Sequence, residues 1–155
     1  MKVRLLAVGT RMPAWVTEGV ETYRKRLPRD FALDVEEIAP GARGKNADVA
    51  KAVALEGRRI RERLRGDEIR VALEVGGQAW STERLAREAE GWRLEGRDVA
   101  LLVGGPDGLE PALSTSADRR WSLSALTLPH PLVRVIVAEQ LYRAWTLLVG
   151  HPYHR

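Results

Sequence analysis

Three stretches of the chain hold residue types that can do chemistry. Gly104-Gly105-Pro106-Asp107-Gly108 follows an apolar run. Glycine lets a ligand approach the backbone and proline holds a loop rigid, although taken alone this stretch reads first as a tight turn. Leu126-Thr127-Leu128-Pro129-His130-Pro131 strengthens the binding-loop reading, because two prolines around one histidine are costly in a plain connection. The third stretch is the tail: all three histidines, His130, His151 and His154, fall in the last 26 residues. His151-Pro152-Tyr153-His154 has no accompanying carboxylate and Pro152 opposes a helix there, so a metal pair is disfavoured. An ordered polar tail and a tail facing a substrate both stay open.

Other chemistries are excluded or weakened. The chain has no cysteine, which removes disulfides, thiolate zinc sites and cysteine nucleophiles. Gly41-Ala42-Arg43-Gly44-Lys45-Asn46 has short glycine spacing for a phosphate-binding loop, and Asn46 stands where Ser or Thr is needed. No G-x-G-x-x-G follows a strand and no G-x-S-x-G elbow exists, so hydride transfer and serine-triad hydrolysis are disfavoured. A formal charge of +4 carried almost wholly by arginine, with lysine only at 2, 25, 45 and 51, suits phosphate contacts. Genome composition or heat adaptation would give the same bias. No apolar run approaches the roughly 20 residues of a membrane span, and Met1-Lys2-Val3-Arg4 does not open a signal peptide. A cytoplasmic protein with a polyanionic partner and no membrane contact is expected.

The elements that must position these residues alternate strand and helix. Strands are predicted over 2–8, 31–38, 68–75 (ended by Gly76-Gly77), 98–103 and 120–126. Helices are predicted over 13–27, 47–65, 82–94 with Ser81 as cap, 109–117 and 131–149. This is an α/β pattern: one domain over 1–155 around a mostly parallel sheet, with helices on both faces. In such sheets ligands bind beyond the carboxyl ends of strands, here 73–77, 103–108 and 123–131. The last helix is not simply amphipathic. Glu139, Gln140 and Arg143 cluster on one side with Arg134 opposite, and apolar residues fill most of the rest. Such a helix needs more than one neighbour, which a homodimer or a central place in one chain would supply.

Four segments resemble the RlmH family of the SPOUT methyltransferase superfamily. They are Gly104 to Leu109, Trp121 to Arg134, Glu139 to Trp145 and the ending His151-Pro152-Tyr153-His154-Arg155, joined by Val8 to Pro13 and Arg43 to Asp48. The resemblance implies a single SPOUT-type α/β domain with a C-terminal trefoil knot and a homodimer. It also implies S-adenosylmethionine (SAM) as methyl donor without a metal, and a pseudouridine N3 in helix 69 of 23S rRNA as target. By position, the SAM pocket would comprise Leu73, Gly104, Leu123, Ser124, Ala125, Leu126, Thr127 and Leu128. Leu73-Glu74 with Gln78 departs from the family's Leu-Asp followed by a lysine-bearing loop, which leaves no cation at 78.

Methylating an imide nitrogen requires its anion, so cations near the carbonyl oxygens and a base in reach are needed. Arg143, Arg155 and His154 are the candidate cations, and Glu139 or His154 the candidate acceptor. Tyr153 could stack on the base. Arg11, Arg24, Lys25, Arg26, Arg43 and Lys45 are candidate phosphate contacts, while the arginines of the second helix read first as a solvated face paired with glutamates. A non-catalytic ribosome-associated RNA-binding protein would use the same basic surface, and a metal-dependent hydrolase using the terminal histidines is a third alternative.

Overall fold

A computed structural model describes residues 1–155. In chain order the elements are β1 (Lys2–Val8), α1 (Ala14–Arg24), β2 (Ala32–Ile38), α2 (Val49–Arg63), β3 (Ile69–Ala79), α3 (Thr82–Glu95), β4 (Val99–Val103), α4 (Pro111–Ser116), β5 (Arg119–Ser122) and α5 (His130–Val149). The strands form one sheet in the order β2-β1-β4-β3-β5, every pair parallel. All strand carboxyl ends therefore reach the same edge.

The period-two alternation of strand side chains divides the core in two. Val3, Leu5 and Ala7 of β1 face α1, α3 and α5, while Leu6 and Val8 face Ile60 of α2 and Leu113 of α4. Helices thus cover both faces. The unbroken apolar run of β4 is buried at all five positions, as a central strand with two covered faces must be. Asp48 starts α2 two residues later than expected, because its side chain accepts the Lys51 N–H at 3.2 Å. Ser81 caps α3 in the same way through Arg84 N–H at 3.1 Å.

Two strand predictions need correction at the edge that matters. Gly76-Gly77 does not end β3. The strand loops out after Leu73 and resumes at Gln78, so that both residues pair with Trp121. Glycine at 77 allows this, since a Cβ there would sit 2.8 Å from the backbone of Arg120 and Trp121. Conversely, β5 stops at Ser122 rather than running to Leu126. Ser122 Oγ donates to the Ser124 carbonyl at 2.9 Å, and Leu126 N–H donates to Ser124 Oγ at 2.9 Å. These local bonds replace a sheet ladder, and residues 123–129 leave the sheet.

α5 lies between α1 and α3 over the sheet, with Val137, Ala138, Leu141 and Ala144 fully enclosed. Arg134, 3% exposed, donates to Glu37 at 2.6 Å and to the Gly9 carbonyl at 2.8 Å. Thr82 of α3 donates to Gln140 of α5 at 2.8 Å. Neighbours within the chain therefore account for much of the two-sided pattern of this helix. No helix is long and apolar enough to cross a membrane.

Candidate active site

A cavity of about 590 Å³ opens at the carboxyl edge, between the ends of β3, β4 and β5 and the first turn of α5. Its walls are the 73–75 bulge, the loop from Val103 to Leu109, the segment 123–129, and His130 and Val133. Leu73, Gly104, Leu123, Ser124, Leu126, Thr127 and Leu128 all line it, whereas Ala125 is exposed and does not. Glycine is required at 104, since a Cβ there would overlap the backbone of Gly108 and Leu109. The glycine-proline loop is thus folded back on itself with its main chain facing the cavity.

In a chain with 25 lysines and arginines, none lines this cavity. Its titratable groups are Glu74 and His130. Glu74 is engaged outward, accepting from Ser114 Oγ at 2.7 Å and pairing with Arg120. His130 has its pKa lowered, first by burial and then by the charge of Arg134, so the imidazole is held neutral. Apolar walls, free backbone and no lining Lys or Arg suit a ligand with a flat ring and a positive centre. Sequence reasoning named the strand ends at 73–77, 103–108 and 123–131, which include Val75 and Pro106, but not Leu109 or Val133 as walls. For the bulge, the paired glycines at 76–77 were the available signal, read as a stop.

The tail residues form a second cluster. Arg143 donates to Glu139 Oε1 through Nε at 2.8 Å, Tyr153 OH donates to the same oxygen at 3.1 Å, and Gln140 donates to Oε2 at 2.7 Å. The Arg143 guanidinium sits 5.0 Å from the Tyr153 ring centre, and Tyr153 packs edge-on against Tyr142. Burial, then the nearby Glu139, push the Tyr153 phenol up to about 12, so it acts as a donor at neutral pH. His154 Nδ1 is buried and has no hydrogen-bond partner. Arg155 is exposed. Glu139 and Arg143 lie nine and thirteen residues beyond His130 on α5, about 14 to 20 Å along the helix axis.

The basic candidates separate. Arg11, Lys25, Arg26 and Lys45 are exposed, with Arg11 in the left-handed conformation (φ 57°) uncommon for such a residue. Arg24 pairs with Glu21 at 2.5 Å, and Arg43 is engaged by Glu56 and Asp107. On α2, Arg61 and Arg63 pair with Glu110 and Glu36 from other elements, and Arg59 caps the carbonyls of Ala39 and Pro40. No group of three or more His, Asp or Glu side chains is placed to hold a metal.

The family model described as "Predicted SPOUT methyltransferase" matches residues 1–154. Proteins named "Ribosomal RNA large subunit methyltransferase H" match over all 155 residues and the whole of their own length. Those of Chromohalobacter salexigens, Marinomonas sp. and Pseudomonas aeruginosa are 68%, 57% and 56% identical. Among solved structures, a probable methyltransferase from Bordetella pertussis aligns with TM-score 0.58 at 18% identity, over 92% of this chain and 95% of that one. A Legionella pneumophila protein solved with SAM bound aligns with TM-score 0.51 at 13% identity, over 93% of this chain and 66% of that one. These structures share the α/β fold.

Proposed function

The chain belongs to the SPOUT methyltransferase family, and from that premise we propose that it methylates N3 of a pseudouridine in helix 69 of 23S rRNA, with SAM as donor. The observation that carries this reading is the cavity at the carboxyl edge, walled by apolar side chains and main chain and lined by no lysine or arginine. Its volume of about 590 Å³ lies within the range of small-molecule sites. The backbone of 73–75, 104–108 and 123–128 would hold the adenosine, and neutral His130 would leave the positive sulfur unopposed. SAM bound there would supply an electrophilic methyl group on a sulfonium, whose transfer to N3 would break the S–CH3 bond and leave a neutral thioether product.

The chain's own residues supply the rest. N3 carries a proton that has to leave, and of the two candidate acceptors His154 is the less committed. Both oxygens of Glu139 already accept from Arg143, Tyr153 and Gln140, whereas His154 Nδ1 has no partner. Arg143, held cationic by Glu139, is positioned to stabilise the developing imide anion, with Arg155 as a second cation. Tyr153 offers its ring to the base. The stretch of α5 between His130 and this cluster is too long for both to meet one methyl group within a single chain. A homodimer in which the tail of one protomer completes the cavity of its partner resolves this. The trefoil threading implied by the resemblance is compatible with the parallel order, and all 155 residues then make one catalytic domain. A ribosomal substrate makes the cytoplasm the expected location.

Incubation with labelled SAM and assembled ribosomes, followed by mass mapping of the rRNA, tests the reading. One added methyl on a single pseudouridine is expected. Saturable SAM binding without methylation would refute it, and no saturable binding would favour the RNA-binding alternative.

A further inference from the structure

Arg43 sits in the basic, glycine-rich loop between β2 and α2, where an exposed arginine would meet RNA phosphate. Its donors are already committed. Nη1 donates to Glu56 Oε2 at 2.8 Å and to the Gly41 carbonyl at 3.2 Å, Nη2 donates to Glu56 Oε1 at 3.0 Å, and Nε donates to Asp107 Oδ2 at 2.8 Å. Only one of the five guanidinium N–H groups is left.

Both acceptors have reason to hold it. The Glu56 side chain is 3% exposed, and a carboxylate taken that far from water needs a cation and hydrogen bonds; Gly41 N–H supplies one more at 2.9 Å. Asp107 does not itself line the cavity but sits between Pro106 and Gly108, which do, and the bond from Arg43 is the only one its side chain makes. Within that wall the backbone is closed by Gly108 N–H donating to the Gly105 carbonyl at 3.0 Å. The side-chain tether to the rest of the fold runs through Asp107.

We propose that Arg43 is a positioning residue: with one end anchored on buried Glu56 and the other on Asp107, it staples the 104–108 wall to α2 and so sets the affinity of the cavity for its nucleoside ligand, rather than gripping RNA. The ligand's identity as SAM rests on the function proposed above; the staple itself does not.

Arg43→Ala, Asp107→Ala and the double variant test this by SAM titration, methylation kinetics and amide hydrogen exchange of the ligand-free protein. Each single variant should weaken SAM binding about fivefold to tenfold, raise KM for SAM and leave kcat at saturating SAM unchanged. The double variant should be no worse than either single one. Amides 105–109 should exchange faster, while RNA affinity and its salt dependence stay the same. Because Arg43→Ala strands a buried carboxylate, Asp107→Asn is the companion variant. It keeps the Arg43–Glu56 pair and should still loosen the wall, with Tm unchanged. Unchanged SAM affinity and unchanged exchange in Asp107→Asn and in a folded Arg43→Ala would overturn the proposal, as would an Arg43→Ala variant that loses only RNA affinity. If wild-type protein binds no SAM, the functional reading fails and the exchange data alone decide the staple.

Discussion

At the scale of single residues, the histidines divide the work. His154→Ala should lower kcat about 100-fold, the usual contribution of a positioned base, with SAM affinity unchanged by titration. An unaltered methylation rate would remove His154 from the mechanism. His130 faces the other way. Its folded pKa lies below the ordinary 6.5, so under that pH the unfolded chain binds more protons at this position than the folded one. Its share of stability is therefore whole above about pH 6.5 and declines as pH falls through and below that value. Comparing urea midpoints of wild type and His130→Gln from pH 7.5 down to 5 checks the sign: the difference between the two should narrow on acidification. The histidines' chemical interest was legible in their crowding at one end of the sequence. The candidate acceptors Glu139 and His154 were legible too, but not that His130 is kept neutral or that His154 is the less committed of the two, because those depend on Arg134 standing beside His130 and on nothing reaching His154 Nδ1.

At the scale of elements, the helices and strands follow from local periodicity, and their errors cluster where backbone geometry changes. A strand reading ends at paired glycines because glycine is costly in a strand interior; β3 instead uses them to bulge and resume. Trp121, pairing on both sides of that bulge, is the long-range partner that only the sheet supplies. The outcome reaches the candidate site, since the bulge makes one wall of the cavity. Gly104→Ala, which drives a methyl into the backbone of Gly108 and Leu109, should weaken SAM binding at least tenfold. Unchanged affinity by titration would show that this wall does not touch the ligand. For α5, Leu141 is wholly enclosed and Leu141→Ala should cost about 2–5 kcal/mol in urea unfolding.

At the scale of the whole molecule, the proposed reaction asks two surfaces to act together. If the tail of one protomer serves the cavity of its partner, a Gly104→Ala subunit mixed with one truncated after Gly150 should regain activity in the heterodimer. Each parent homodimer should be inactive, and no recovery on mixing would mean that the site is built within one chain. RNA affinity should fall with salt, each lost phosphate contact lowering the slope of log K against log salt by about 0.7 to 0.9. Lys45→Ala, exposed and without an ion pair, should show that loss, measured by binding at several ionic strengths. Arg24, engaged by Glu21, should show less.

By itself the sequence settled the α/β class, a mostly parallel sheet and, through motif resemblance, the family, and it pointed to the carboxyl edge where the cavity opens. Each of these depends on patterns local in the chain or on runs long enough to be distinctive. Tertiary structure decided which positions share a wall, that α5 is flanked within its own chain, and that Arg43 spends its donors on Glu56 and Asp107. Those are contacts between residues as much as 125 positions apart in the chain. Their free energy exists only once the sheet brings the loops together, so no local pattern could carry them.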